Sequence, residues 1–213
     1  EIDISFSNPL IYMKIAHRYQ AWAFARIVEN DGHSRFRGQI ICRADNKALR
    51  NIQDCPGKSW IAVDPSSAGG YLFILDYFLS RGISLEDFSE VVFAPGPGGK
   101  QEKVVLAVYA GKYDIGSIRE GTLEVVKDRI DRDEIRVLAH TPRYPAWVYA
   151  ARKGLDPKAV EKIKEALLSL DKKDPGQAEI LKQAGFMGVI ASDDEDFDPL
   201  RRMAKRTEID LDE

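Results

Sequence analysis

The sequence predicts an α/β protein with two lobes, built from parallel or mixed sheets with helices on both faces and two hinge strands. Strand-like and helix-like stretches alternate over most of the 213 residues, and no low-complexity tether separates two halves. Two strand-like segments, 39–44 and 135–141, flank a self-contained βαβ block. We therefore expect lobe A at residues 1–43 and 138–213, lobe B at residues 44–137, and the flanking segments as the hinge.

The individual elements follow from periodicity and from turn signals. Alternating or short apolar runs that end in turn residues predict strands at 2–6, 39–43, 59–63, 91–93, 113–117, 135–139 and 146–151. Apolar residues at helical spacing predict helices at 10–18, 46–52, 71–79, 101–110, 120–127, 157–170, 178–183 and 199–205. Asp156 followed by Pro157, for example, is an N-cap with proline at the first helical position. Strands joined by crossover helices run parallel within a sheet.

Composition and charge exclude several classes of protein. Hydrophobic residues make up 44% of the chain, enough for packed cores. The net charge of −3 argues against binding to nucleic acid, which usually requires a basic face. Apolar runs all fall short of the ~20 residues that a membrane helix needs. His17, His33 and His140 are scattered, and the sequence contains neither a nucleophile motif nor metal-ligand spacing, so we expect no enzyme activity, cofactor or metal.

Cys42 and Cys55 admit two interpretations. In an oxidising compartment they could form a disulfide that ties the end of one strand to the turn before the next. In a reducing compartment they would be small buried hydrophobic residues.

One loop has the composition of an anion-binding turn. Ser66, Ser67, Ala68 and Gly69 lie between a hydrophobic strand and an apolar helix. The first amides of a helix have no partner within the helix, and small residues let an anion approach them closely. Phosphate, phosphonate, sulfate and carboxylate would all suit this turn. The alternative is a serine N-cap in a tight glycine turn.

Two further strand-end loops are expected at the same edge of the sheet, where ligands collect in open α/β sheets. One carries Lys100 and Gln101 after a Gly/Pro-rich stretch, and the other carries Ser117, Arg119 and Glu120. A flexible surface loop and an exposed charged helix start are the alternatives. Near the second hinge strand, Trp147 could line a cleft or pack in a core.

Several segments, in this order along the chain, resemble the phosphate/phosphonate-type substrate-binding proteins of ABC transporters, which have the type II periplasmic-binding-protein fold. They are 3–12 (DISFSNPLIY), 64–72 (DPSSAGGYL), 106–116 (LAVYAGKYDIG), 152–156 (RKGLD) and 191–200 (ASDDEDFDPL). The resemblance covers essentially the whole chain. Because it lies in the order of the motifs, it is more specific for the fold than for the ligand.

The resemblance also implies ligand-binding residues. In that family a serine-rich turn and a His at the start of the next crossover helix hold the phosphonate, and carboxylates hold an amine. Carried over by position, the turn is Ser66 to Gly69, Gln101 stands at the His position and Glu120 matches an amine-binding Glu. Trp147 replaces a second acidic residue, and Ser7, next to Asn8, replaces an aromatic one. These departures imply an anion with less amine character than an aminoalkylphosphonate.

The resemblance implies the role and the surroundings of the protein. We expect a non-catalytic protein that closes its two lobes over a small anion and delivers it to an ABC-transporter permease. The location would be periplasmic or extracellular, associated with the membrane. The alternative is the ligand-sensing extracytoplasmic domain of a membrane receptor or histidine kinase. Family members begin with two strand–helix units before the position of Glu1, so we expect a processed product or a fragment that lacks the N-terminal part.

Overall fold

A computed structural model describes residues 2–212 and divides the chain into two compact units. Unit 2 is the continuous stretch Arg37–Arg143, and unit 1 combines the chain up to Phe36 with the chain from Tyr144 onward. The sequence placed these divisions after residue 43 and before residue 138. The two expected hinge strands pair with one another, but both belong to the sheet of unit 2.

Unit 2 is a five-stranded mixed sheet with helices. Its strands are β4 (Gly38–Arg43), β5 (Ser59–Ala62), β6 (Glu90–Phe93), β7 (Ile115–Arg119) and β8 (Ile135–His140), in the spatial order β6-β5-β7-β4-β8. Its helices are α2 (Phe73–Leu79), α3 (Lys100–Tyr109) and α4 (Thr122–Val125). Strand β5 runs parallel to β6 and β7, as expected for strands joined by crossover helices, while β4 runs antiparallel to β7 and β8.

Successive side chains of the central strands point to opposite faces of this sheet, so they pack in two cores, one on each side. Trp60 and Ala62 pack in a cluster with residues of α2, whereas Ile61 and Val63 pack in a cluster with residues of α3. Strand β4 divides its side chains in the same way. Both faces of β4 and β5 are therefore buried, which explains their nearly continuous apolar sequence.

The first of these clusters contains Cys42 and Cys55 as free, fully buried thiols. Burial, reinforced by the charges of Cys42 and Asp54, raises the pKa of Cys55 to about 12. In this structure both cysteines act as small hydrophobic residues, which is one of the two interpretations that the sequence allowed.

Unit 1 contains a four-stranded sheet in the order β1-β10-β2-β11 and a short pair formed by β3 and β9. Every neighbouring pair is antiparallel. The strands are β1 (Ile4–Ser7), β2 (Trp22–Val28), β3 (Arg35–Phe36), β9 (Tyr144–Pro145), β10 (Val148–Ala151) and β11 (Gly188–Ala191). The helices are α1 (Pro9–Tyr19), α5 (Pro157–Leu168), α6 (Pro175–Ala184) and α7 (Asp198–Arg206).

Two helix predictions differ from the structure for local reasons. The expected helix over 46–52 is a series of turns, because the Asn46 side chain accepts a hydrogen bond from the amide of Ala48 and so offers the backbone a turn instead. The helix expected over 120–127 shrinks to α4, because Gly121 precedes it with φ of 90°, in the left-handed region.

Candidate functional site

The turn after β5 is an ordered network in which an acidic residue holds the first serine. Asp64 accepts hydrogen bonds from the Ser66 amide (2.9 Å) and the Ser66 hydroxyl (2.6 Å) through the same oxygen, Oδ1. Its other oxygen pairs with the ammonium of Lys100. Burial alone would raise the pKa of Asp64, but Lys100 and the hydrogen bonds from Ser66 outweigh it and hold that pKa below its usual value.

The next residues present backbone donors. Ser67 is an N-cap, since its hydroxyl accepts a hydrogen bond from the Gly70 amide (3.1 Å), and a π-helical turn Ala68–Leu72 then leads directly into α2. The carbonyl oxygen of Ser67 accepts hydrogen bonds from the amides of Tyr71 and Leu72. The amides of Ala68 and Gly69 precede these bonds, so they are the donors that the helix leaves available to a ligand.

A buried serine fixes the far end of this turn. The Ser117 hydroxyl, on β7, donates to the carbonyl of Gly70 (2.6 Å) and accepts a hydrogen bond from the indole of Trp60 (2.9 Å). Ser117 and Trp60 are both fully buried. The neighbouring parallel strand thus positions the turn, and Ser117 has a structural role there.

The start of α3 belongs to the second strand-end loop and is bonded to the other two. Lys100 pairs with Asp64, while Oε1 of Gln101 accepts a hydrogen bond from the Arg119 amide (2.9 Å) at the end of β7. The three strand-end loops that the sequence singled out are therefore joined at one edge of the unit 2 sheet.

Glu120, immediately after β7, binds two arginines that the sequence analysis did not identify. Its Oε1 accepts from Nε and Nη2 of Arg37 (2.7 Å each), and its Oε2 lies 2.7 Å from Nη2 of Arg143. Arg37 and Arg143 are the first and last residues of unit 2. Both residues lie beside the ends of predicted strands, β4 and β8, and this position could have identified them. The lobe boundaries predicted from the sequence placed both in lobe A instead.

The backbone next to Arg37 comes into close contact with the turn. A Cβ atom on Gly38, next to Arg37, would lie 2.5 Å from the carbonyl oxygen of Gly69. Gly38 is also tied to Thr141, whose Oγ1 accepts from the Gly38 amide (3.0 Å) and whose amide donates to the Gly38 carbonyl (3.1 Å). The residues that begin and end unit 2 thus converge on the turn.

His140, the last residue of β8, lies in the same charged environment. Burial, with the nearby charges of Arg37 and Arg143, lowers its pKa and outweighs the opposite effect of Glu120. The ring is therefore mainly neutral at neutral pH, and the arginines carry the positive charge of this cluster.

The remaining expected site residues lie in unit 1. Ser7 ends β1, and its buried hydroxyl has no hydrogen-bond partner within residues 2–212. Asn8 caps α1 by accepting from the amides of Leu10 (2.9 Å) and Ile11 (3.2 Å). Trp147 is half-buried, and its ring lies 5.3 Å from that of Phe6. Ser7 pairs with Val148, so Trp147 adjoins it across the sheet.

Comparison with known proteins gives a consistent result. Residues 1–197 match the family described as ABC transporter, phosphonate, periplasmic substrate-binding protein. The phosphate-import protein PhnD of Mycolicibacterium smegmatis is 21% identical in an alignment 223 positions long, gaps included, which covers 97% of this chain and 69% of that protein. In the part of the chain that the structure describes, the helices are all too short or too polar to cross a membrane.

Solved structures share the fold. The binding protein component of an ABC phosphonate transporter from Pseudomonas aeruginosa has a TM-score of 0.79 at 18% identity, covering 97% of this chain and 69% of that chain. PhnD1 from Prochlorococcus marinus, solved in complex with methylphosphonate, has a TM-score of 0.80 at 14% identity, covering 97% and 79%. These similarities confirm the predicted two-lobed α/β fold. The match over residues 1–197 shows that the chain belongs to the periplasmic substrate-binding proteins of phosphonate ABC transporters.

Proposed function

We propose that this protein binds a small phosphonate- or phosphate-like anion and delivers it to the permease of an ABC transporter. The observation that carries the proposal is the turn after β5, where the amides of Ala68 and Gly69 are left without helical partners between small residues. Such amides, at the positive end of a helix, bind anions. Family membership supports delivery to a permease over the sensor alternative, and it supports a periplasmic or extracellular location.

The charges around the turn suit an anion. Lys100 neutralises Asp64, so the one carboxylate within the turn does not repel a negatively charged ligand. Ser66 and Ser67 are half-buried and reachable, and Gln101 lies in the first turn of α3. Together these groups are the proposed contacts of unit 2 with the ligand.

Within unit 1, Ser7 and Trp147 are candidate ligand-binding residues. Ser7 offers a buried hydroxyl that has no partner within the described residues, and a bound anion would complete its hydrogen bonds. Trp147 is the second candidate, because its ring forms with that of Phe6 an aromatic surface that suits the alkyl part of a phosphonate.

Calorimetric titration of the chain with methylphosphonate, phosphate and sulfate tests the proposal. We expect saturable binding of methylphosphonate or phosphate, with a rise in melting temperature that grows with ligand concentration. If none of the three anions produces heat or thermal stabilisation at millimolar concentration, the proposal is wrong.

A charge-changing variant tests the location of the site. Gln101→Glu keeps an oxygen that can accept from the Arg119 amide but adds a negative charge beside the turn. We expect it to weaken anion binding by about tenfold or more. Gln53→Glu, at an exposed position after β4, is the matched control and should leave the affinity unchanged.

A further inference from the structure

The pairing of Glu120 constrains the kind of ligand that the site can hold. Both oxygens of its carboxylate are bound, one by Arg37 and the other by Arg143, at 2.7 Å in each case. The three side chains are between about a fifth and a third exposed, with 30% for Arg37, 27% for Arg143 and 22% for Glu120. An ammonium group brought to Glu120 would therefore stand next to two guanidinium groups.

Glu120 brings one negative charge to the two positive charges of Arg37 and Arg143. A guanidinium carries five N–H donors, and Glu120 takes only two from Arg37. Arg37 thus keeps donors for a further acidic group while it holds Glu120. Since His140 is mainly neutral, the arginines determine the sign of the local charge.

The chain segments that carry the two arginines adjoin the proposed anion turn. Arg37 precedes Gly38, where an added Cβ would lie 2.5 Å from the Gly69 carbonyl oxygen. Arg143 lies two residues after Thr141, which is hydrogen-bonded to Gly38. A ligand whose phosphonate occupies the turn would hold its substituent within reach of this pair.

We infer that Arg37 and Arg143 form a cationic subsite beside the turn, with Glu120 as its counter-ion, which favours an acidic substituent on the ligand and rejects an ammonium substituent. The inference rests on the proposed function and adds to it the class of ligand and the residues that select it. Glu120 then acts as a positioning residue for the two arginines.

Three phosphonates that differ in the charge of the substituent test the inference. Propylphosphonate and 2-aminoethylphosphonate have the same number of non-hydrogen atoms, and 3-phosphonopropionate carries a carboxylate on the same two-carbon spacer. By calorimetry at pH 7.5 we expect 3-phosphonopropionate to bind most tightly, and propylphosphonate to bind at least ~10-fold more tightly than 2-aminoethylphosphonate. Equal or tighter binding of 2-aminoethylphosphonate overturns the inference while leaving the proposed function standing. If no phosphonate binds, and phosphate does not bind either, both fail.

Arginine variants identify the residues responsible. Arg143→Gln removes one guanidinium and frees one oxygen of Glu120, so the preference for propylphosphonate over 2-aminoethylphosphonate should narrow by about threefold or more. Arg37→Gln should also narrow this preference, and it replaces Arg143→Gln in the test if that variant is unstable. Arg129→Gln is the control, because this exposed residue lies shortly before β8, which begins at the opposite end of β4 from Gly38. A ratio unchanged in both folded arginine variants contradicts the subsite.

Discussion

Gly38 and Gly69 are in backbone contact, so close that a Cβ atom on Gly38 would lie 2.5 Å from the Gly69 carbonyl oxygen and 2.7 Å from the Ile74 side chain. The contact joins the first residue of β4 to the anion turn. A side chain at position 38 would therefore have to displace the backbone of the turn itself.

We expect Gly38→Ala to reduce the free energy of unfolding by about 1–3 kcal/mol, because an extra methyl group in a packed site forces backbone shifts. It should weaken anion binding as well, since the turn is displaced. Urea unfolding and calorimetry measure the two effects. Gly188→Ala is the matched control: Gly188 also lies in a strand, and its added Cβ would meet no atom within 4 Å. Equal effects of the two substitutions would contradict this account.

Ser117→Ala should destabilise unit 2, because it leaves the buried indole N–H of Trp60 without its partner and leaves the Gly70 carbonyl with only the longer bond from the Val63 amide (3.4 Å). The expected loss is about 1–3 kcal/mol, the cost of an unsatisfied buried polar group. Urea unfolding followed by Trp fluorescence measures it. Ser80→Ala removes an exposed serine hydroxyl that is bonded to the Tyr77 carbonyl and should change stability by less than ~0.5 kcal/mol. Similar losses for both would argue against a special role for Ser117.

Lys100→Met should raise the pKa of Asp64, because it removes the ammonium that, with the Ser66 hydrogen bonds, outweighs the effect of burial. In the native protein this pKa lies below its unfolded value, so the carboxylate contributes stability above pH ~3.9 that is lost as the pH falls through the folded pKa. In Lys100→Met the ionised Asp64 carboxylate should therefore contribute less to the free energy of unfolding above that pH. Carboxyl-carbon NMR titration measures the pKa directly. Lys103→Met, at a lysine that binds the carbonyls of Pro95 and Pro97, should leave it unchanged.

Ser7→Ala tests the proposed role of Ser7 in ligand binding. Its hydroxyl is buried and has no partner within residues 2–212, so removing it should not lower the free energy of unfolding. If the ligand completes the hydrogen bonds of Ser7, the affinity should fall by about 3–10-fold, the value of one hydrogen bond. Ser5→Ala on the same strand removes a second buried, unpartnered hydroxyl and should not affect binding. Unchanged affinity in Ser7→Ala would remove Ser7 from the site.

Local pattern was sufficient to predict most elements of unit 2. Strands such as β5 are short, apolar and bounded by turn residues, and each is followed by a helix with a recognisable start. The same reasoning did not identify β2, the longest strand of unit 1, because its neighbours β10 and β11 lie on both sides and its five consecutive buried residues show no alternation.

The candidate site was predictable only where it depends on neighbouring residues. The turn of Ser66 to Gly69 is a local feature of the sequence, and so is the N-cap at Asn8. The pairing of Glu120 with Arg37 and Arg143 joins residues that are far apart along the chain, and the spacing of the sequence contains no signal for it. Placing the lobe boundaries at 43 and 138 concealed the fact that both arginines flank the continuous unit.

The connectivity of the two units implies an order of synthesis and folding. Unit 2 is one uninterrupted segment whose first and last residues share a carboxylate partner, so its sheet can form without any strand of unit 1. Strand β1, by contrast, must wait for β10, because Ile4 pairs with Ala151. The pairing of β1 with β10 therefore spans nearly the whole of unit 2 along the chain, and such non-local pairing is slow to form.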